Sequence, residues 1–244
     1  MSLPITYQQK EATRSSLFRL KLPKPLRRLL FPAWFGITSR TTGLSRSYGF
    51  CRGVPVDRHY IEQFLSSYRD DIKGRVIEIF DTAYTDKFGA GVTRRDVLDV
   101  DPANPLTTYV ADLAAADAVP SDSFDCFVLT QTLLLIYDVH AAVRHVHRVL
   151  KPGGVVLVTV PTVSPIIHEV GPEHDYWRFT AGACRRLFGD VFGPENVQVH
   201  SYGNLLTAVA SLSGMAVEDV DRRKLDVNDP HFPLIIGVRA VKRA

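Results

Sequence analysis

Residues 123–160 read SFDCFVLTQTLLLIYDVHAAVRHVHRVLKPGGVVLVTV, and the pattern in this stretch decides the fold. Ser123 to Leu129 is a continuous apolar run of the kind buried on both faces of a parallel sheet, so it predicts a central strand. From Val139 to Leu150 the period becomes helical. Val139, Val143, Val146 and Leu150 form one stripe, with His140, Arg144, His147 and Lys151 on the other. Pro152-Gly153-Gly154 closes that helix and turns the chain into Val155–Val160, a β-branched strand ended by Pro161. Strand, helical crossover and strand make one unit of an α/β sheet.

Working outward, the same alternation continues on both sides. Upstream, Pro55 and Asp57 open a helix with Tyr60, Ile61, Phe64, Leu65 and Tyr68 on one face, stopped by Gly74. Strand patterns follow at Arg75–Ile79, Asp96–Val100 and Thr107–Val110. Downstream, two more appear at Val197–Ser201 and Leu234–Val241. The expected fold class is α/β, with helices on both faces of the sheet and a basic N-terminal arm.

Composition narrows the class further. The chain has 244 residues, 45% of them hydrophobic and 23% charged, and no apolar run of about 18 residues, which predicts a globular protein without a membrane span. Cys51, Cys126 and Cys184 lie far apart, without the spacing of a disulfide framework or a zinc site. The N-terminus lacks a basic start followed by an apolar core, so the expectation is a cytoplasmic protein.

The net charge of +3 conceals an asymmetry. Residues 1–47 hold nine Lys/Arg against one acid, Glu11, leaving a mildly acidic body of 20 basic and 25 acidic residues. The expected division is an arm at 1–47 and one domain at 48–244. Basic and apolar residues interleave over Phe18–Phe31, which suits an acidic surface, anionic lipid or nucleic acid, or an arm packed on its own domain or a dimer mate. Packing, including homodimerisation through the arm, is the preferred expectation, and no nucleic-acid partner is expected.

Ligands of open α/β sheets bind beyond the carboxyl ends of the strands, and here those ends are polar. Glu78 and Asp81 bracket the end of the first strand, Asp101 ends the second, Asp112 follows the third, and Thr130-Gln131 the fourth. A carboxylate after the second strand can accept both hydroxyls of a ribose, and one after the third an exocyclic adenine amine. Each acid alone also suits a turn or a helix cap. The ordered set favours a nucleoside site.

With these residues in view, 54–244 resembles the class I S-adenosylmethionine-dependent methyltransferases. The carrying segments are Arg75–Ile79, Leu98–Asp101, Val110–Leu113, Pro120–Asp125 and Arg148–Gly154, the last two typical of the type 11 group. Asp175-Tyr176-Trp177-Arg178-Phe179-Thr180 is similar to a segment of bacterial members near sugar and natural-product biosynthesis. The resemblance implies a Rossmann-like, seven-stranded, mostly parallel sheet with one late antiparallel strand. It also implies S-adenosylmethionine as cofactor, held by Glu78, Phe80, Asp81, Thr82, Tyr84, Asp101, Asp112, Leu113, Thr130 and Gln131.

The chain departs from the family at the glycine-rich loop, where Phe80, Thr82 and Tyr84 occupy the three glycine positions. A non-glycine residue forced to positive φ costs roughly 1–2 kcal/mol. The expected function is transfer of a methyl group to a small acceptor, a hydroxyl of a sugar or secondary metabolite. The alternative is an inactive binding or scaffolding subunit of the same fold. His174 beside Asp175 is the expected base, with His168 second, and Tyr176, Trp177 and Arg178 the expected acceptor wall. The segment Arg52–Tyr60 reads either as a plain helix entry or, by the resemblance, as a lid whose arginines and Tyr60 approach the methionine carboxylate. No metal is expected, since His140, His145 and His147 do not converge on a helix.

Overall fold

The computed structural model describes residues 40–45, 47–167 and 170–243. The chain divides into two units, Met1–Thr41 and Thr42–Ala244. The second carries the fold described below. Most of the basic arm, and with it the expected dimer contact, lies outside the described residues.

In the second unit the elements run α1 (Val56–Ser67), β1 (Gly74–Ile79), α2 (Ala83–Phe88), β2 (Val92–Asp99), β3 (Tyr109–Val110), β4 (Phe124–Thr130) and α3 (Val139–Val149). They continue with β5 (Leu150–Pro161), α4 (Ala181–Phe192), β6 (Val197–Tyr202), α5 (Leu205–Leu212), α6 (Arg222–Leu225) and β7 (Ile235–Val241). The seven strands form one sheet in the order β3-β2-β1-β4-β5-β7-β6, with β4 at its centre. The pairings from β3 across to β5 are parallel, and β7 runs antiparallel to both β5 and β6. This is a Rossmann-like, mostly parallel sheet with one late antiparallel strand.

The period-2 alternation of the strands divides the core between two faces. Ile77, Phe127, Leu129, Val156 and Val158 join Val143 and Val146 of α3 and Leu187 and Phe188 of α4. Val76, Cys126, Val128 and Leu157 join Ile61, Phe64 and Leu65 of α1. Each fully buried large apolar side chain contributes about 1.5–3 kcal/mol, so β4, buried on both faces, anchors both layers.

Three boundaries differ from the sequence expectation. The first helix ends at Ser67 and passes through a tight turn at Arg69–Asp71, while Gly74 opens β1 at φ +66 rather than stopping the helix. Pro152-Gly153-Gly154 lies inside β5, where the pairing with β4 shifts register between Phe124 and Cys126. A Cβ on Gly154 would stand 2.9 Å from the carbonyl oxygens of both Lys151 and Phe124, so the irregularity requires glycine there. Finally, β2 ends at Asp99 rather than Val100, which determines which acid reaches the site.

Candidate functional site

A cavity of about 970 Å³ opens beyond the carboxyl ends of β1, β2 and β4, where the strand order reverses around β1. That volume suits a drug-sized ligand. Its walls come from the loops after those strands, from α1, and from the segment around residues 170–176.

Glu78 sits at the end of β1, 3% exposed, and its two carboxylate oxygens accept the backbone N–H groups of Tyr84 (3.1 Å) and Thr85 (2.8 Å). The side chain therefore caps α2 from beneath the cavity. Burial raises its pKa to about 7, against the opposing pull of the two backbone donors.

Phe80 follows with φ +72, the left-handed conformation that glycine adopts without strain; the residue is 62% exposed and lines the cavity. Its backbone is fixed on both sides. The Phe80 N–H donates to the Leu98 carbonyl at 3.1 Å, and its carbonyl accepts from Asn104 Nδ2 at 2.7 Å.

The acid that lines the cavity after β2 is Asp99, not Asp101. Asp99 pairs in register with Val110 of β3, and its Oδ2 accepts from Asn104 Nδ2 at 2.6 Å. Asp101 points its carboxylate back to the Ala103 N–H at 2.8 Å and forms a turn. Asp101, the acid expected at the ribose, does not line the cavity and Asp99 does, because the strand stops one residue sooner than the apolar pattern suggested. Asp112 lines the same cavity, with Oδ1 accepting from the Ala114 N–H at 2.8 Å.

The other expected cofactor residues divide. Asp81, Tyr84, Leu113, Thr130 and Gln131 line the cavity, and Thr82 does not. The Thr82 hydroxyl instead donates to Asp86 at 2.8 Å. Tyr84 is buried, with its ring stacked on Phe88 and its hydroxyl accepting a hydrogen bond from Arg58. Gln131 has φ +49 and donates from Nε2 to the Thr159 hydroxyl at 3.3 Å.

Arg58 is the only lysine or arginine lining the cavity among the described residues, against five carboxylates, those of Glu78, Asp81, Asp99, Asp112 and Asp138. Its guanidinium lies 5.5 Å from the Tyr84 ring and 5.7 Å from that of Phe50. Arg52, of the same segment, pairs with Asp219 instead. Tyr60 is completely buried and donates its hydroxyl to the Leu225 carbonyl at 2.9 Å, so it does not reach the cavity.

Around residue 174 the expected catalytic pair separates. His174 lines the cavity, with Nδ1 3.4 Å from the Tyr176 hydroxyl. Asp175 turns away from it, its side chain fully buried, and is held by Arg178 and the Ile167 N–H. Arg178 also donates to the Pro165 and Trp177 carbonyls, so it ties the loop together rather than facing an acceptor. Trp177 donates from its indole to the Ile136 carbonyl at 3.0 Å and lies outside the cavity. Of the expected acceptor wall only Tyr176 lines it, and His168 lies outside the described residues.

Sequence reasoning missed Asp99, Tyr137 and Asp138 as lining residues. Asp99 was visible as the first acid of Leu98-Asp99-Val100-Asp101, whereas Tyr137 carried no periodic signal. Among the described residues no cluster of His, Cys, Asp or Glu could hold a metal, and no helix is long and apolar enough to cross a membrane.

Residues 82–158 match a family model described as a methyltransferase domain. A ubiquinone/menaquinone biosynthesis C-methyltransferase UbiE of Enterobacter sp. (strain 638) is 37% identical over 141 residues, covering 55% of this chain and 51% of that protein. Its counterpart in Pectobacterium carotovorum is 38% identical over 72 residues, covering 30% of this chain and 28% of that protein. The chain thus spans at most about half the length of these curated relatives.

Two solved structures share the fold. One is a SAM dependent methyltransferase from Archaeoglobus fulgidus, with TM-score 0.51, 12% identity, and coverage of 76% of this chain and 94% of that one. The other is an S-adenosylmethionine dependent methyltransferase from Mesorhizobium loti, with TM-score 0.51, 15% identity, and coverage of 77% and 98%. With the matched segment, the fold is that of a class I S-adenosylmethionine-dependent methyltransferase. S-adenosylmethionine is the cofactor of that class.

Proposed function

We propose that the chain transfers a methyl group from S-adenosylmethionine to a small-molecule acceptor. The observation carrying this reading is that Asp99 and Asp112, beyond neighbouring parallel strands, line one cavity with a single arginine, Arg58. Asp99 accepts the two ribose hydroxyls, Asp112 the adenine amine, and Arg58 pairs with the methionine carboxylate. When bound, S-adenosylmethionine would supply an electrophilic methyl group for the lone pair of an acceptor whose proton the chain would take up.

The protein's part is mainly to hold the acceptor in line with that methyl group. His174, exposed at the cavity, takes the proton from a hydroxyl acceptor. Asp175 does not orient it, being committed to Arg178. These relatives are C-methyltransferases, so the expectation of a sugar hydroxyl finds no support among them.

Isothermal titration with S-adenosylmethionine and S-adenosylhomocysteine tests the reading, with saturable heat expected from both. Phe80, exposed at positive φ where the class has glycine, favours a second reading, a binding subunit of the same fold without transfer. Absence of heat at millimolar ligand would favour that alternative.

A further inference from the structure

The connection between β6 and β7, residues 203–234, supplies none of the cavity's walls, so the site gives no reason for what it exposes. Its helix α5 reads LLTAVASL, without a charged residue. The amphipathicity of α5 is inverted. Thr207 and Ser211, four apart and so on one face, are buried, whereas Leu205, Leu206 and Leu212 are 55%, 42% and 44% exposed. The inward threonine is satisfied locally, its hydroxyl donating to the Asn204 carbonyl at 3.0 Å and accepting from the Asn204 N–H at 2.9 Å. Asn204 also donates from Nδ2 to the Lys224 and Val227 carbonyls, at 2.8 and 2.6 Å, which fixes the end of α6 and the exposed Val227 beside the first turn of α5. The Asp229 N–H donates to the Gly203 carbonyl at 2.8 Å and brings the exposed Phe232 to the same end. Leucines turned outward on a helix that turns its hydroxyls inward mark a face that something covers.

We propose that this face is the interface between two copies of the chain, related by a two-fold axis. Charge selects a second copy over an anionic membrane. Residues 221–229 hold Arg222, Arg223 and Lys224 against Asp221, Asp226 and Asp229, so the rim of the apolar face is neutral. Anionic headgroups attract clusters of unopposed lysine and arginine, and a neutral rim gains little from them. A two-fold contact sets a surface against itself, where balanced charge attracts and an excess of either sign repels. Arg223 is paired with Asp221 at 2.9 Å, but the exposed Arg222, Lys224 and Asp226 make no ion pair among the described residues. A cation of one copy can therefore meet Asp226 of the other, and symmetry makes that pairing twice. The α5 leucines of both copies then form an apolar centre inside a polar rim, as protein interfaces are built.

The test is sedimentation equilibrium of the full chain at loadings of about 1–100 μM, a range over which a contact of micromolar dissociation constant passes from monomer to dimer. Wild type is expected to approach twice the monomer mass at the top of that range. Leu206→Glu and Leu212→Glu are each expected to weaken association about tenfold or more, while Leu106→Glu, at an exposed leucine after β2, leaves it unchanged. Asp226→Lys gives the rim an excess of cations and is expected to weaken association too, most at low salt, where repulsion is least screened. A circular dichroism spectrum matching wild type shows that each variant is folded. A wild type monomeric throughout would overturn the proposal, as would association untouched by both glutamate variants. Binding of the monomer to phosphatidylcholine/phosphatidylglycerol vesicles, lost in Leu206→Glu, would assign the face to a membrane instead.

Discussion

The side-chain amide of Asn104 holds the main-chain carbonyl of Phe80 at 2.7 Å. The same nitrogen donates to Asp99 Oδ2 at 2.6 Å, so one residue links the left-handed turn after β1 to the carboxylate after β2. The backbone strain at Phe80 and the aim of Asp99 are thus set together.

Asn104→Ala removes both hydrogen bonds at once. At about 1 kcal/mol each, S-adenosylmethionine affinity is expected to fall about 10- to 30-fold. Calorimetry reads this directly, and an unchanged dissociation constant would show that Asp99 aims itself.

Asp99→Ala and Asp101→Ala separate the two acids at the end of β2. Loss of charge-assisted bonds to the ribose predicts about 1.5–3 kcal/mol of lost binding for Asp99→Ala. Asp101→Ala, which loosens only a turn, should change affinity less than about threefold. The reverse order would restore Asp101 to the site.

Phe80→Gly relieves the strain of a φ of +72. The relief of roughly 1–2 kcal/mol is partly offset by the greater freedom of glycine in the unfolded chain, leaving an expected gain of about 0.5–1 kcal/mol. Urea unfolding measures it. A net loss would mean that the ring is held by packing that outweighs its strain.

Glu78 gives the fold a pH dependence of defined sign. Its pKa is raised by burial from 4.5 to about 7, so the folded state favours the protonated side chain more than the unfolded state does. Its contribution is fully present below about pH 4.5 and is lost as pH rises through about 7, on the order of 3 kcal/mol in all. Wild type should therefore lose stability relative to Glu78→Gln between pH 4.5 and pH 8. Parallel stability curves would show that the capping bonds hold the carboxylate ionised.

Asp175→Asn tests the loop clamp. The Asp175 side chain is fully buried against Arg178, whose hydrogen bond holds its pKa below the usual range despite burial. Leaving that guanidinium unpaired in a partly buried site predicts a loss of about 3 kcal/mol and a lower Tm. A large fall in turnover without loss of Tm would instead return Asp175 to the catalytic machinery.

Much of this was legible in residue order alone. The apolar run at 123–129, the stripe on α3 and the β-branched run at 155–160 specify buried strands and a crossover helix, because burial on a sheet or helix face imposes the period directly. Glu78, Asp112 and Gln131 stood out because parallel strands carry ligands at their carboxyl ends. Asp101, Asp175, Trp177, Arg178 and Tyr60 carried similar chemical signals and proved to face elsewhere. A polar or aromatic residue in a loop has no periodicity to fix its direction.

What the sequence by itself determined is therefore the sheet, its two apolar layers and the edge at which the cavity opens. Only the tertiary structure decided that Asp99 rather than Asp101 lines the cavity, and that Tyr137 and Tyr176 meet while Asp175 turns to Arg178. Those outcomes depend on where β2 stops and on hydrogen bonds between loops about forty residues apart, such as Trp177 to Ile136. Contacts of that range are fixed by packing in space, which local residue patterns do not encode.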